Sequence, residues 1–281
     1  MTGNEKTTIA DFFNVTLDYL SGGFRTSHEA LIFGDDLPRE KAESPAALGE
    51  TWQDRPAESP TAHDREDETE NRKELLEKLN AEVNSCSRCG LCSTRINAVP
   101  GEGVLFPLVM VIGEGPGEEE DKSGRPFVGR AGQLLDRMLD SRGKIGLSRT
   151  ANCYIANVLK CRPPGNRSPA QDEITSCAPY LLRQITILRP KIILAAGNTA
   201  AKTLLDSIEG ITKLRGIFTH FRGNLLMEGD FNIPLLPTFH PSALLRDETL
   251  KGPVWEDLKK LRAKLCELDG EYAGKMADNP L

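Results

Sequence analysis

The sequence contains no apolar run that approaches the roughly 18–20 residues needed to span a bilayer. Its first residues, MTGNEKTTIADFF, lack the basic segment and apolar core of a secretory signal peptide. We therefore expect a soluble, cytoplasmic protein with no membrane partner. Histidine is also scarce, with four in 281 residues. A histidine that falls within a motif is notable for that reason, although a histidine alone is more often structural.

The chain is unsuited to a closed set of disulfides, because it contains seven cysteines, an odd number. In a reducing compartment, clustered cysteines indicate metal or redox chemistry instead. Cys86, Cys89 and Cys92 form a C-x2-C-x2-C segment, and Cys161 and Cys177 follow farther along. Two thiolates from the first segment and the later pair would complete a four-ligand site, for which zinc and a [4Fe-4S] cluster both stay open. A ferredoxin pattern is excluded, since no cysteine follows the first segment after three further residues.

Negative charge is concentrated in the N-terminal part. The net charge is −6, but residues 1–80 hold 18 acidic and 9 basic side chains, and the remainder holds 23 and 26. The segment from Pro38 to about Asn71 is rich in Glu, Asp, Pro and Ser. Such a segment buries too little apolar surface to offset its conformational entropy. We expect an acidic, largely disordered extension over residues 1–73, a folded domain over 74–270 and a tail over 271–281.

Short apolar strands alternate with amphipathic helices in the folded domain. Strands are predicted at Leu108–Ile112, Tyr154–Leu159, Lys191–Ala195 and Pro234–Thr238. A helix is predicted at Glu74–Val83, and others follow each of the strands. The alternation predicts an α/β fold, a three-layer α/β/α sandwich around a central four-stranded, mostly parallel sheet. Ligands of such sheets bind at the carboxyl ends of the strands, where Gly113–Asp121, Asn157 and His240 fall.

Gly113–Gly117, with the sequence GEGPG, leaves the first strand. By itself this segment predicts only a tight turn between a strand and a helix. It is not a Walker A loop, because no Gly-Lys-Ser/Thr follows, and it is not a dinucleotide fingerprint, because Glu118 occupies the sixth position.

Four segments nevertheless occur together in the order of a known family: GEGPGEEED at 113–121, GRPFVGRAGQLL at 124–135, NVLKCRPPGNR at 157–167 and FHPSALLR at 239–246. They closely resemble the family 4 uracil-DNA glycosylases, bacterial and archaeal enzymes that carry a [4Fe-4S] cluster. The resemblance covers about residues 75–265. It implies a uracil-DNA glycosylase-like fold and a monomer that acts on uracil-containing DNA, single- or double-stranded. The implied reaction hydrolyses the N-glycosidic bond of flipped deoxyuridine, which releases uracil and leaves an abasic site in base excision repair.

The resemblance also implies a ligand set for the cluster. Four cysteines match the family's ligands: Cys86, Cys89, Cys161 and Cys177. Cys92 falls where the family has no ligand, so it is a substitute at most. Cys153 and Cys266 are isolated in the sequence and are expected to be simple thiols.

Six positions match the family's uracil pocket: Gly113, Glu114, Gly115, Phe127, Asn157 and His240. Their residue types suit the chemistry of a flipped base, which is held by stacking and by hydrogen bonds to its edge. Phe127 would stack on uracil, Asn157 would read N3–H and O4, and His240 would donate a hydrogen bond to the charge that develops on O2. Leu244 falls in the loop that enters the DNA minor groove, where an apolar side chain acts as a wedge.

One departure concerns the group that activates water. The best-known branch of the superfamily carries an Asp base where this chain has Gly115, and a Tyr that blocks thymine where it has Gly117. Either Glu114 polarises the water, beside His240 as the second catalytic residue, or the chain relies on backbone carbonyls and on the substrate's own phosphates. Glu120 is a candidate to fill the volume of the missing Tyr.

Two other classes of function compete with the enzyme. A non-catalytic DNA-binding module associated with replication machinery is the main alternative, because related domains are attached to phage-type DNA polymerases. The presence of Asn157, Phe127 and His240 together favours the enzyme. An electron-transfer protein is disfavoured, since the cysteines frame a base-pocket motif.

Overall fold

The computed structural model describes residues 62–140, 143–221, 232–279 and 281. Most of the predicted acidic extension, residues 1–61, lies outside this range. In the part of the chain that the structure describes, no helix is long and apolar enough to cross a membrane.

The described residues form one sheet with six strands: β1 Glu102–Gly103, β2 Val109–Gly113, β3 Cys153–Asn157, β4 Ile192–Ala196, β5 Thr219–Phe221 and β6 Ile233–Thr238. The strand order is β1-β3-β2-β4-β6-β5. The four inner strands are parallel and correspond to the four predicted ones. The two edge strands are short and antiparallel, and they were absent from the sequence prediction. Both are too brief to show an alternation of apolar residues.

Nine α-helices surround the sheet in these described ranges: α1 Ala62–Asn84, α2 Glu118–Ser123, α3 Arg130–Asp140, α4 Gln171–Leu188, α5 Asn198–Leu205, α6 Ile211–Leu214, α7 Pro241–Arg246, α8 Lys251–Leu268 and α9 Gly270–Ala277. Two of them correct the predicted domain limits. α1 begins at Ala62 rather than near Glu74, so the end of the expected linker is helical. α9 lies in the expected tail, where Tyr272 and Met276 are buried in the core. Its two apolar anchors were too few to predict a helix.

The inner strands alternate their side chains between two apolar layers. In β2, Val109 and Val111 join a cluster on one face, while Met110 and Ile112 join the cluster on the other. All four side chains are fully buried. Burial of such a side chain contributes about 1.5–3 kcal/mol, so both faces of every inner strand stabilise the fold. The three-layer sandwich predicted from the sequence is confirmed.

A third apolar cluster joins α1 to α4. Leu79 and Val83 of α1 are fully buried in it, together with Leu91 and with the half of α4 that carries Cys177 and Tyr180. Five of the seven cysteines lie in or beside this cluster or its cavity.

The strand order also fixes where a ligand can enter. The chain passes from β2 to β3 on one side and then crosses to β4 on the other side of β2. The connections therefore diverge at the carboxyl ends of β2 and β4, which opens a crevice at that edge of the sheet.

Candidate active site

A cavity of about 660 Å³ lies at the carboxyl ends of the inner strands. Its lining includes five of the six predicted pocket residues: Glu114, Gly115, Phe127, Asn157 and His240. These residues lie at the end of β3, just after β2 and β6, or in the loop before α3. Its volume falls in the range of small-molecule sites.

Gly113, the sixth predicted residue, lies under the cavity at the last position of β2 and pairs with Asn157 in β3. A Cβ atom at Gly113 would lie 2.5 Å from Asn157 Oδ1 and 2.5 Å from Phe127 Cζ. Only a residue without a side chain fits there, since both distances are far shorter than van der Waals contact. Gly113 thus allows the amide of Asn157 and the ring of Phe127 to meet over the strand end.

Phe127 adopts a left-handed backbone conformation, with φ of 52°. Such a conformation costs about 1–3 kcal/mol for a residue with a side chain, and it persists only where the surroundings enforce it. Gly132 provides part of that enforcement. A Cβ atom at Gly132 would lie 1.8 Å from the carbonyl oxygen of Phe127. The main chain of α3 therefore packs directly against the main chain of the loop, which only a glycine allows.

Two charged side chains hold the same loop by its main chain. Glu120 Oε1 accepts hydrogen bonds from the amides of Val128 and Gly129, each 2.8 Å long. Arg149 donates from Nη2 to the carbonyl of Phe127 at 3.0 Å, and from Nη1 to the carbonyl of the preceding residue. The ring of Phe127 is therefore fixed before any ligand binds.

Asn157 is 1% exposed, and its Oδ1 atom has no hydrogen-bond partner among the described residues. A buried acceptor without a partner costs about 1–3 kcal/mol. The atom belongs to a side chain that lines the cavity, so a ligand with an N–H group would satisfy it.

His240 lies at the N-cap of α7, with its ring 5.5 Å from that of Phe127. Its Nδ1 accepts a hydrogen bond of 3.1 Å from the main-chain N–H of Ser242. An atom that accepts from an amide carries no proton, so the proton of the neutral ring is on Nε2. Burial, with a smaller effect of nearby Arg246, lowers the pKa of His240 to about 4. At neutral pH, His240 is therefore an uncharged Nε2–H donor.

Two carboxylates line the cavity, and they differ in the hydrogen bonds that they accept. Glu120 accepts from Val128 and Gly129 through one oxygen and from the Gly117 amide through the other, at 3.1 Å. Within the part of the chain that the structure describes, Glu114 accepts one hydrogen bond, from the hydroxyl of Thr199 to Oε2. Glu114 thus keeps one oxygen for a further partner. Glu120 therefore holds the loop around Phe127. It also contacts Gly117, the position of the missing Tyr whose volume we expected Glu120 to fill.

Leu244 is not placed as predicted. It is 1% exposed and belongs to the apolar core, so it cannot enter DNA as a wedge. Pro241 and Leu244 lie three residues apart on the inner face of α7, and Leu245 follows on the outer face with 40% exposure. The motif located the segment but not the register of the helix.

The predicted metal ligands meet at a second, smaller cavity. Its lining includes five cysteines: Cys86, Cys89, Cys92, Cys161 and Cys177. Hydrogen-bond donors face their sulfurs, with the Lys160 amide 3.2 Å from Cys177 Sγ and Arg95 Nη1 3.0 Å from Cys161 Sγ. Burial raises the pKa of Cys177 to about 11, so a positive partner is needed to hold this thiolate. Among the described residues, no three His, Cys, Asp or Glu side chains converge on one metal-ion position.

Comparison with known proteins identifies the family of this chain. Residues 100–259 match the uracil DNA glycosylase superfamily. The chain is 46% identical over 191 residues to the type-4 uracil-DNA glycosylase of Sulfurisphaera tokodaii, an alignment that covers 66% of this chain and 83% of that relative. It is 44% identical over 195 residues to the type-4 enzyme of Thermotoga maritima, with 68% and 95% covered. This chain is a member of the type-4 uracil-DNA glycosylase family.

A more distant similarity bears on the alternative function. A DNA polymerase of Bacillus phage SP01 is 27% identical to this type-4 family member over 165 residues, which are 16% of the polymerase. The type-4 relatives, rather than the polymerase, confirm the family resemblance predicted from the four motifs.

Several residues of the site were missed by sequence reasoning. Thr199 follows the end of β4, and the rule that ligands bind at strand ends would have found it. Arg149 and Gly132 act on the main chain of Phe127 from outside the cavity. No sequence signal marks them, because they contact backbone that becomes strained only in the folded protein.

The pKa of His240 predicts how stability depends on pH. The native value of about 4 lies below the ordinary 6.5, so between these values the unfolded chain binds more protons. His240 therefore contributes stability above pH 6.5 that is lost as the pH falls toward 4. Between pH 7.5 and 4.5 the free energy of unfolding, measured with urea, should fall by about 1–2 kcal/mol more for the wild type than for His240→Asn, which keeps an N-cap side chain. Equal losses in both proteins would contradict this pKa.

Proposed function

We propose that this protein excises uracil from DNA by hydrolysis of the N-glycosidic bond of a flipped deoxyuridine, which leaves an abasic site. The observation that carries the proposal is the buried, unpartnered Oδ1 of Asn157 beside the fixed ring of Phe127. A flat base with an N–H group on its edge satisfies both features at once. Membership of the type-4 family supports the same substrate.

Asn157 would distinguish uracil from cytosine by its hydrogen-bonding pattern. Its oxygen accepts from uracil N3–H, and its amide nitrogen donates to O4. Cytosine presents an acceptor at N3 and a donor at N4, which would leave two buried pairs mismatched. Since Gly113 and the ring of Phe127 crowd the amide, the base must adapt to Asn157 rather than the reverse.

The leaving group would depart with assistance from His240. Cleavage of the bond between C1′ and N1 places negative charge on uracil, mainly at N1 and O2, and positive charge on the sugar. The Nε2–H of neutral His240 can donate to O2, an effect worth roughly 3–4 kcal/mol in comparable sites. Because His240 stays uncharged at neutral pH, it stabilises the anion by a hydrogen bond and does not transfer a proton.

Glu114 would position the water that attacks C1′. It is the cavity carboxylate with a free oxygen, since Glu120 is occupied on both of its oxygens. The hydroxyl of Thr199 orients the other oxygen of Glu114. Glu114 can accept the proton that the water loses as its oxygen bonds to the sugar cation.

DNA would contact the outer face of α7. Leu245, in place of the buried Leu244, is the apolar side chain available to fill the gap left by the flipped base. Arg246 is exposed beside it, lines the mouth of the cavity and has no ion-pair partner in the described ranges. A phosphate of the DNA strand would suit this cation.

Cys86, Cys89, Cys161 and Cys177 would hold the [4Fe-4S] cluster implied by the family. Their shared cavity and the donors that face their sulfurs fit a thiolate-bound group. When bound, the cluster would cross-link the segment after α1 to the segment after β3 and to α4. Cys92 lines the same cavity and stands outside the four.

The direct test is release of free uracil from a uracil-containing oligonucleotide. We expect release by the wild type, whereas Asn157→Asp should lose most of it and gain detectable cytosine excision. If protonated, the introduced carboxyl group can donate to cytosine N3 and accept from N4. His240→Ala should lower both activities without a change of preference. A wild type that binds uracil-containing DNA and releases no uracil would instead support the non-catalytic module, and unchanged selectivity of Asn157→Asp would remove Asn157 from base reading.

The metal proposal has its own test. Purified protein should be brown and contain about four irons per chain, which can be measured by absorption and metal analysis. Cys161→Ser should bleach and destabilise the protein, because it removes one of the proposed ligands. Cys153→Ser is the matched control and should keep its iron, since Cys153 is buried in the core at the start of β3. Colourless, active protein with stoichiometric zinc would contradict the proposal.

A further inference from the structure

Lys160 is a charged residue buried between the two sites. It is 1% exposed. Its Nζ donates to the carbonyl oxygen of Asn157 at 2.8 Å and to Oε1 of Gln184 at 2.6 Å. Gln184 in turn donates to the carbonyl of Pro100 at 2.8 Å. The lysine therefore reaches from the base-reading strand end to α4.

The main chain of Lys160 belongs to the wall of the cysteine cavity. Its N–H faces Cys177 Sγ at 3.2 Å, and its carbonyl accepts a 2.7 Å hydrogen bond from Val99. The next residue is Cys161, one of the four proposed ligands. One residue thus contacts the cysteine site with its main chain and the base-reading site with its side chain.

The peptide group between Asn157 and Val158 is held from both sides. Its carbonyl oxygen accepts from Lys160 Nζ, and its N–H donates to the carbonyl of Gly113 at 2.9 Å. A shift of Lys160 would therefore tilt this peptide group and displace the adjoining side chain of Asn157. A displacement of about 1 Å at a reacting site can reduce the rate about a hundredfold.

The charge of Lys160 needs a partner, because an uncompensated buried charge is strongly unfavourable. In the described part of the chain, no carboxylate forms an ion pair or hydrogen bond with Lys160. The titratable side chain whose charge acts on Lys160 is that of Cys177, a proposed ligand in the cysteine site. Thiolates bound to a cluster would supply the missing negative charge.

We propose that Lys160 is a positioning residue through which the iron–sulfur site controls the placement of Asn157. The cluster thiolates balance the buried ammonium group, and the ammonium group fixes the carbonyl of Asn157. This inference rests on the proposed function, because it assumes that Asn157 reads uracil and that the cysteines hold a cluster.

A double-mutant cycle tests the coupling in the holoenzyme. Uracil release is measured as kcat/KM for the wild type, Lys160→Met, Asn157→Ala and the double variant. Methionine keeps the length of the lysine stem and removes its charge and donors. If Lys160 acts through Asn157, Lys160→Met lowers kcat/KM about tenfold or more in the wild type and less than about twofold in Asn157→Ala. Equal losses in both backgrounds, or no loss in the wild type, overturn the proposal.

Lys191→Met is the matched control. Lys191 also donates to a main-chain carbonyl, that of Leu268, but is 44% exposed and far along the chain from both sites. It should match the wild type in kcat/KM and iron content.

A second measurement applies even if Lys160→Met fails to fold or to retain iron. Hydrogen exchange of the Val158 amide is compared in wild-type protein before and after removal of iron by a chelator, with the amides of β4 as internal reference. The coupling predicts faster exchange at Val158 after iron removal, relative to β4. Unchanged relative exchange overturns the inference alone. Wild-type protein that contains no iron or releases no uracil overturns the proposed function instead.

Discussion

The close contact of Gly113, Asn157 and Phe127 is the constraint on which the rest of the site depends. A parallel sheet brings the ends of β2 and β3 into register, so residue 113 faces residue 157 directly. The missing side chain of Gly113 leaves room for an amide and an aromatic ring in the volume that one methyl group would fill. The amide of Asn157 and the ring of Phe127 therefore form a single rigid corner, and the proposed function would place the edge and the face of a base against it.

The unfavourable features of the structure are gathered around that corner. Phe127 has a strained backbone, the Oδ1 atom of Asn157 has no hydrogen-bond partner among the described residues, and Lys160 is a buried cation. Each of these would destabilise an isolated segment and persists only because the surrounding fold enforces it. Burial of the alternating apolar side chains of the inner strands stabilises the fold enough to offset these unfavourable contributions. The site is pre-formed, so little binding energy would be needed to organise it.

Strand ends and motif spacings determine the inner sheet, the two faces of the core and most of the residues that meet in each site, so all of these could be predicted from the sequence. Features that depend on tertiary packing could not be predicted in this way. Leu244 and Leu245 differ by one position in a short helix, and the apolar type of both conceals which one faces the core. α1 began earlier than composition suggested, since Arg72 of this helix donates to main-chain carbonyls of the folded domain, including that of Leu188. No sequence signal marks Lys160, because its contacts join segments that meet only after folding.

We propose that the absence of a side chain at Gly113 creates the uracil pocket. The rate of uracil release by Gly113→Ala tests this, beside Gly252→Ala as a control at a position with no atom within 4 Å of an added methyl group. Gly113→Ala should fold, keep the iron content of the wild type and lose uracil release by about a hundredfold or more, while Gly252→Ala should retain it. Wild-type release by folded Gly113→Ala would contradict the account, because the amide and the ring could then read uracil without the space that the glycine leaves.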